Sequence, residues 1–299
     1  MHSTILLAFF EFSRTAVSMS AAAIVLFLIA LWAAKTDIAQ ARGLDKIVVL
    51  SNLCFALPLA VFGAEHLSAA RGISQGVPSF VPWHLFWAYF VGFALLAASL
   101  SIATKIQVRW SGLLFGIMMF LFVAMMDIPG VLQDTRNRFS WALALRELAF
   151  GGGGWLLAST TMRGRGQSMF ITVGRVLAGI AAIFYGVETF LHPLGMPGIP
   201  LEKLMSEWIP ARPLIGYVTA AILVVAGAAI LLAKKTRIAA TFLGAWIVAL
   251  VVFVYGPILI ASLLDPSTTV KVEGLNYFFD TLLFAGTVLA LASATPRTD

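Results

Sequence analysis

A small set of ionisable residues stands inside or at the ends of otherwise apolar stretches: Glu65, His66, His84, Asp127, Arg146, Glu147, Glu188, His192, Arg212 and Asp280. Carboxylates hold protons or bind cations, a guanidinium forks onto carboxylate or phosphate, and imidazole shuttles protons or ligates metal. Each such group costs roughly 2.5–3.5 kcal/mol at the centre of a bilayer. They are therefore expected either to form a small-ligand or proton site, or to pair with one another and fix helix register. The histidines do not make a metal site by spacing. No two share a helix face, and Glu65 and His66 point about 100° apart as helical neighbours. Cys54 is the single cysteine, which excludes a dithiol and reads as a core thiol. Gly151–Gly154 lacks the Gly-Lys-Ser/Thr of a phosphate loop and reads as a place where helices approach closely. No nucleophile–base pair, kinase or dinucleotide signature accompanies these residues.

The elements that must position them are membrane helices. Of 299 residues, 60% are hydrophobic and 11% charged, against about 25% charged in soluble domains. Charge-free runs such as Thr15–Ala34, Ile47–Ala64, Leu85–Thr104, Leu214–Ala233 and Ile238–Leu264 approach the length needed to cross hydrocarbon. They show no ten-residue alternation, so helices are expected rather than a barrel. About nine spans follow, near 16–34, 47–64, 84–104, 110–128, 141–160, 172–190, 213–233, 238–260 and 275–293. The short basic turns Lys105–Arg109 and Lys234–Arg237 fall on one side, which the positive-inside rule makes cytoplasmic. The N-terminus is then outside and the C-terminus cytoplasmic. The net charge of +6 reads as this topology device, with no nucleic-acid partner implied. Ala39-Gln40-Ala41 resembles a signal-peptide cleavage site, but cleavage there would reverse the basic turns, so a retained helix is expected.

The chain also repeats. At an offset of 128, Pro82, Tyr89, Arg109, Gly116 and Pro129 meet Pro210, Tyr217, Arg237, Gly244 and Pro257. Gly63 and Glu65 meet Gly186 and Glu188 at 123, and Leu148, Phe150 and Gly152 meet Leu282, Phe284 and Gly286 at 134. The expected architecture is an N-terminal helix and loop (1–46) followed by two parallel four-helix bundle repeats, 47–163 and 172–294. This topology places the polar residues at the outer ends of the bundles, with the inner half apolar. Arg146 has no acidic residue three or four positions away, so its counter-charge must come from another helix. By depth, Glu65 or Asp127 is the expected partner. Trp83, Trp87, Tyr89 and Trp141 fall where an interfacial aromatic belt would lie.

Phe62-Gly63-Ala64-Glu65-His66, its echo Tyr185-Gly186-Val187-Glu188-Thr189-Phe190, the Val81-Pro82 and Ile209-Pro210 elements and a small, glycine-containing last helix resemble the DoxX-like family of bacterial membrane proteins. The resemblance covers about 47–294 as two tandem units. It implies a multi-pass protein of the bacterial inner membrane, in contact with lipid and serving as an accessory subunit of a quinone- or thiol-linked redox system. Quinone is the cofactor it would admit, and a membrane or periplasmic redox protein the partner. A small-solute transporter or permease, and a non-catalytic assembly or scaffold protein, are the alternative readings.

Overall fold

The computed structural model describes residues 2–198 and 203–296, with side chains from Arg14 onward. Among them the chain is an all-helical membrane protein. Its long helices are α1 (His2–Gln40), α2 (Asp45–Ser68, with a break at Leu50), α3 (His84–Thr104), α4 (Val108–Gln133), α5 (Arg138–Ser159), α6 (Arg165–Leu191), α7 (Arg212–Leu231), α8 (Thr236–Leu264) and α9 (Thr268–Ala294). Eight are long and apolar enough to cross a membrane. The remaining one, α5, has 22 residues, enough for about 33 Å at 1.5 Å per residue. Arg138, Arg146 and Glu147 lower its hydropathy.

Apolar faces decide the packing. On α1, Ala16, Met19, Leu26, Ala30 and Ala34 are buried, whereas Val17, Ile24, Leu28 and Trp32 on the other face are exposed, as a lipid-facing helix requires. α1 lies along α2 and touches α3 and α9. The other eight helices form a ring in chain order, closed by α9 against α2, with α5 and α9 side by side across its middle. The first helix of each expected repeat therefore packs on the last helix of the other: α2 on α9, and α6 on α5.

Glycines permit these seams. A Cβ on Gly286 would lie 2.7 Å from the Phe55 backbone nitrogen, so α9 and α2 meet nearly backbone to backbone. At the corresponding position on α5, a Cβ on Gly152 would lie 3.1 Å from Gly174 Cα of α6.

Local geometry recurs at the sequence offset. Left-handed residues Trp83, Lys105 and Gln107 are followed 128 positions later by Ala211, Ala233 and Lys235. One π turn, Val123–Asp127, interrupts α4, and another, Val251–Tyr255, interrupts α8. Each is followed within two residues by a proline, Pro129 or Pro257. A proline supplies no N–H and crowds the preceding turn, so the helix widens by a residue there. Trp83, Trp87, Tyr89 and Trp141 are all exposed, as an interfacial belt needs.

Candidate ligand-binding cleft

α2, α5 and α9 converge at the end of the bundle opposite the basic turns, and a cleft of about 1050 Å³ opens between them. Its walls fall into three zones along the helices. At the mouth stand Arg14, Arg71, Thr268 and Thr269. About two to three turns deeper lies a polar belt of Glu65, His66, Asn276, Arg146, Glu147 and Asp280. The far end is apolar: Leu95, Phe115, Met119, Phe150 and Leu283. Beyond it the helices close up, since a Cβ on Gly153 of α5 would meet Thr287 of α9 at 2.4 Å and Phe55 of α2 at 2.8 Å.

Arg146 anchors the belt. Its Nη1 donates to Asp280 Oδ2 at 2.7 Å, linking α5 to α9. This corrects the expectation from depth, which pointed to Glu65 or Asp127. The depth was right, but α5 lies against α9, and two helices in contact present equal depths to each other. Arg146 and Asp280 occupy corresponding positions of the two repeats, 134 residues apart, so the ion pair joins like to like across the middle of the molecule. Asp127 is not lost to the cluster: the π turn of α4 sets it beside Glu147, and both lie in the field of Arg146. π turns recur at functional sites because the added residue re-aims a side chain. Tyr255 and Thr281 stand at the corresponding positions and face each other. A pair of carboxyl groups in one half is thus a pair of hydroxyl groups in the other.

Glu65 accepts from Asn276 Nδ2 of α9 at 3.1 Å. His66 Nδ1 lies 2.8 Å from the Phe62 carbonyl one turn back. A carbonyl only accepts, so Nδ1 carries the hydrogen and Nε2 is left as an acceptor in the neutral ring.

The second glutamate sits differently. Glu188 pairs with Arg138 Nη1 at 2.8 Å, α6 to α5, and lines a separate recess of about 100 Å³ with His192, Thr189 and Lys203. Tyr185 stands between the two cavities and donates to the Ala142 carbonyl at 2.6 Å. His84 opens α3 and lines neither cavity. Arg212 opens α7 and donates to the Met205 carbonyl at 3.1 Å. Thus Glu65, His66, Arg146, Glu147 and Asp280 line one cleft with Asp127 behind it, while Glu188, His192, His84 and Arg212 belong elsewhere. Cys54 is buried.

Three contributors were not among the candidate site residues singled out from the sequence: Asn276, Tyr185 and Arg138. Asn276 was findable, because it lies one helical turn before Asp280 on the same face. Arg138 reads from sequence as an ordinary loop cation; its role depends on the α5–α6 contact. Among the described residues, no three His, Cys, Asp or Glu side chains are grouped to hold a metal ion. Comparison with protein-family models, curated proteins and solved structures returned no match.

Proposed function

We propose that this protein holds a small amphipathic molecule in the α2–α5–α9 cleft and serves a membrane redox system as an accessory subunit, with a quinone as the occupant. The observation that supports this is the zoning of the cleft, with an apolar far end, a hydrogen-bonding belt and a hydroxyl- and guanidinium-bearing mouth. A ring with an apolar tail matches that order of surfaces. The belt's polar groups would meet the ring oxygens, and Phe115, Met119 and Phe150 would take the tail. The redox assignment draws on the DoxX-like resemblance of the Phe62–His66 segment and its echo. Cys54 is buried, so any thiol electron carrier of such a system belongs to a partner protein. With the basic turns Lys105–Arg109 and Lys234–Arg237 in the cytoplasm, the cleft opens on the outer face of a bacterial inner membrane. The tight packing below the cleft speaks against a solute path through the protein.

Purification from native membranes in a mild detergent, followed by mass spectrometry of bound small molecules and proteins, tests the proposal. A quinone at about one per chain, reduced in Glu65→Gln, is expected. Preparations carrying neither quinone nor any other amphipath would reject it.

A further inference from the structure

Resting on the reading of the cleft as an amphipath site, the hydrogen bonds of its belt say which chemical form of the headgroup fits. Each donor group of the belt makes a hydrogen bond inside the protein. Arg146 Nη1 donates to Asp280, Asn276 Nδ2 to Glu65, Tyr185 Oη to the Ala142 carbonyl and His66 Nδ1 to the Phe62 carbonyl. Beyond the bond from Nη1, Arg146 has N–H groups to spare, Nε among them, yet three carboxyl groups, Asp280, Glu147 and Asp127, surround that one cation. Acceptors, by contrast, remain in surplus. A carboxylate offers about four lone-pair sites, and Glu65 uses one in its bond from Asn276. Glu147 shares one proton with Asp127 in a hydrogen bond and adds its remaining lone pairs, His66 adds Nε2, and Asn276 Oδ1 has no partner. A carbonyl-bearing headgroup would bring more acceptors to a belt already rich in them and leave carboxyl oxygens without donors, which is costly once the headgroup displaces water.

We infer that the cleft selects a headgroup that donates hydrogen bonds, and that of a quinone–quinol couple it takes the quinol, whose two hydroxyl groups meet Glu65 and Glu147. Preferential binding of the reduced form makes the bound couple easier to reduce than the free one. A tenfold preference raises its midpoint by about 30 mV for two electrons.

The test uses the full chain in lipid nanodiscs under anaerobic conditions, with a decyl-substituted benzoquinone, its hydroquinone and decyltrimethylammonium as probes. The hydroquinone is expected to bind at least about tenfold tighter than the oxidised form, one good hydrogen bond being worth about that factor. Glu147→Gln, which puts an N–H donor into the belt, is expected to bring the ratio close to one. Glu65→Gln provides the same readout should Glu147→Gln fail to fold. Equal affinity for the two redox forms, or tighter binding of the oxidised one, overturns the inference while leaving the amphipath site standing. Tighter binding of decyltrimethylammonium, which carries charge but no donor, also overturns it, because charge and not hydrogen bonding would then select the occupant. Failure of all three probes to bind rejects the underlying reading of the cleft.

Discussion

Two seams of this molecule are built from corresponding residues, and only one of them opens. Where α6 meets α5, Glu188 is held by Arg138, and Tyr185 reaches across to the Ala142 carbonyl. Where α2 meets α9, the corresponding residues are Glu65, Val272, Phe62 and Asn276. The arginine has become a valine, the tyrosine has lost its hydroxyl and the alanine has become an amide. Glu65 is thereby left with one hydrogen bond from Asn276 and faces a cavity of about 1050 Å³, whereas the recess beside Glu188 measures about 100 Å³. The same glutamate is tied to an arginine in one seam and, in the other, lines the cleft proposed to bind a ligand. What separates the roles is the company each keeps on the facing helix.

The shared centre of the two seams carries the largest expected effect. Arg146 and Asp280 are 22% and 15% exposed, so Asp280→Leu takes from a guanidinium within the bundle its hydrogen-bonded counter-charge, leaving Glu147 and Asp127 beside it. It is expected to lower stability by about 3–5 kcal/mol, with most of that recovered in an Arg146→Leu/Asp280→Leu double variant. Thermal unfolding in detergent reads both. If the double variant is as unstable as the single, the pair does more than neutralise itself. Next comes conversion of the open seam into the closed one. Val272→Arg with Asn276→Ala gives Glu65 the partner that Glu188 has. Amphipath binding is expected to fall at least about a hundredfold, close to 3 kcal/mol, while the fold is retained. Unchanged binding would break the comparison.

Packing below the seams gives a smaller effect. Gly286→Ala forces a methyl group to 2.7 Å from the Phe55 nitrogen, while Gly152→Ala meets Gly174 Cα at 3.1 Å. The first is expected to cost about 1–3 kcal/mol by overpacking, and the second less. Equal melting temperatures would show that the α2–α9 approach is not the tighter one. The smallest effect belongs to Glu188→Gln. Arg138 is 36% exposed, so solvent screens the pair and no more than about 1 kcal/mol of stability is expected to go, with ligand affinity unchanged.

Much of the architecture was legible because bilayer physics writes it openly. Long apolar runs give the helices, and matched punctuation such as Pro129 and Pro257 gives the repeat. The depth of Glu65, Arg146 and Asp280 could also be read, and all three do lie at one end of the bundle. Which helix faces which could not. Span order alone leaves α5 free to neighbour α2 or α9, so Arg146 was directed to Glu65 or Asp127 when its partner is Asp280. The split between Glu65 and Glu188 was hidden for the same reason. Both end an apolar helix after a Gly-x-Glu, and the residues that distinguish them, Arg138 and Val272, lie far away in sequence.

Titration of Glu65→Gln and Glu188→Gln side by side, with a tail-bearing hydroquinone in nanodiscs and melting temperature followed in parallel, tests the division of roles most directly. Glu65→Gln is expected to lose about tenfold in affinity with its stability intact. Glu188→Gln keeps wild-type affinity and melts slightly earlier. Equal loss of affinity in the two variants, or loss in Glu188→Gln alone, would contradict that division.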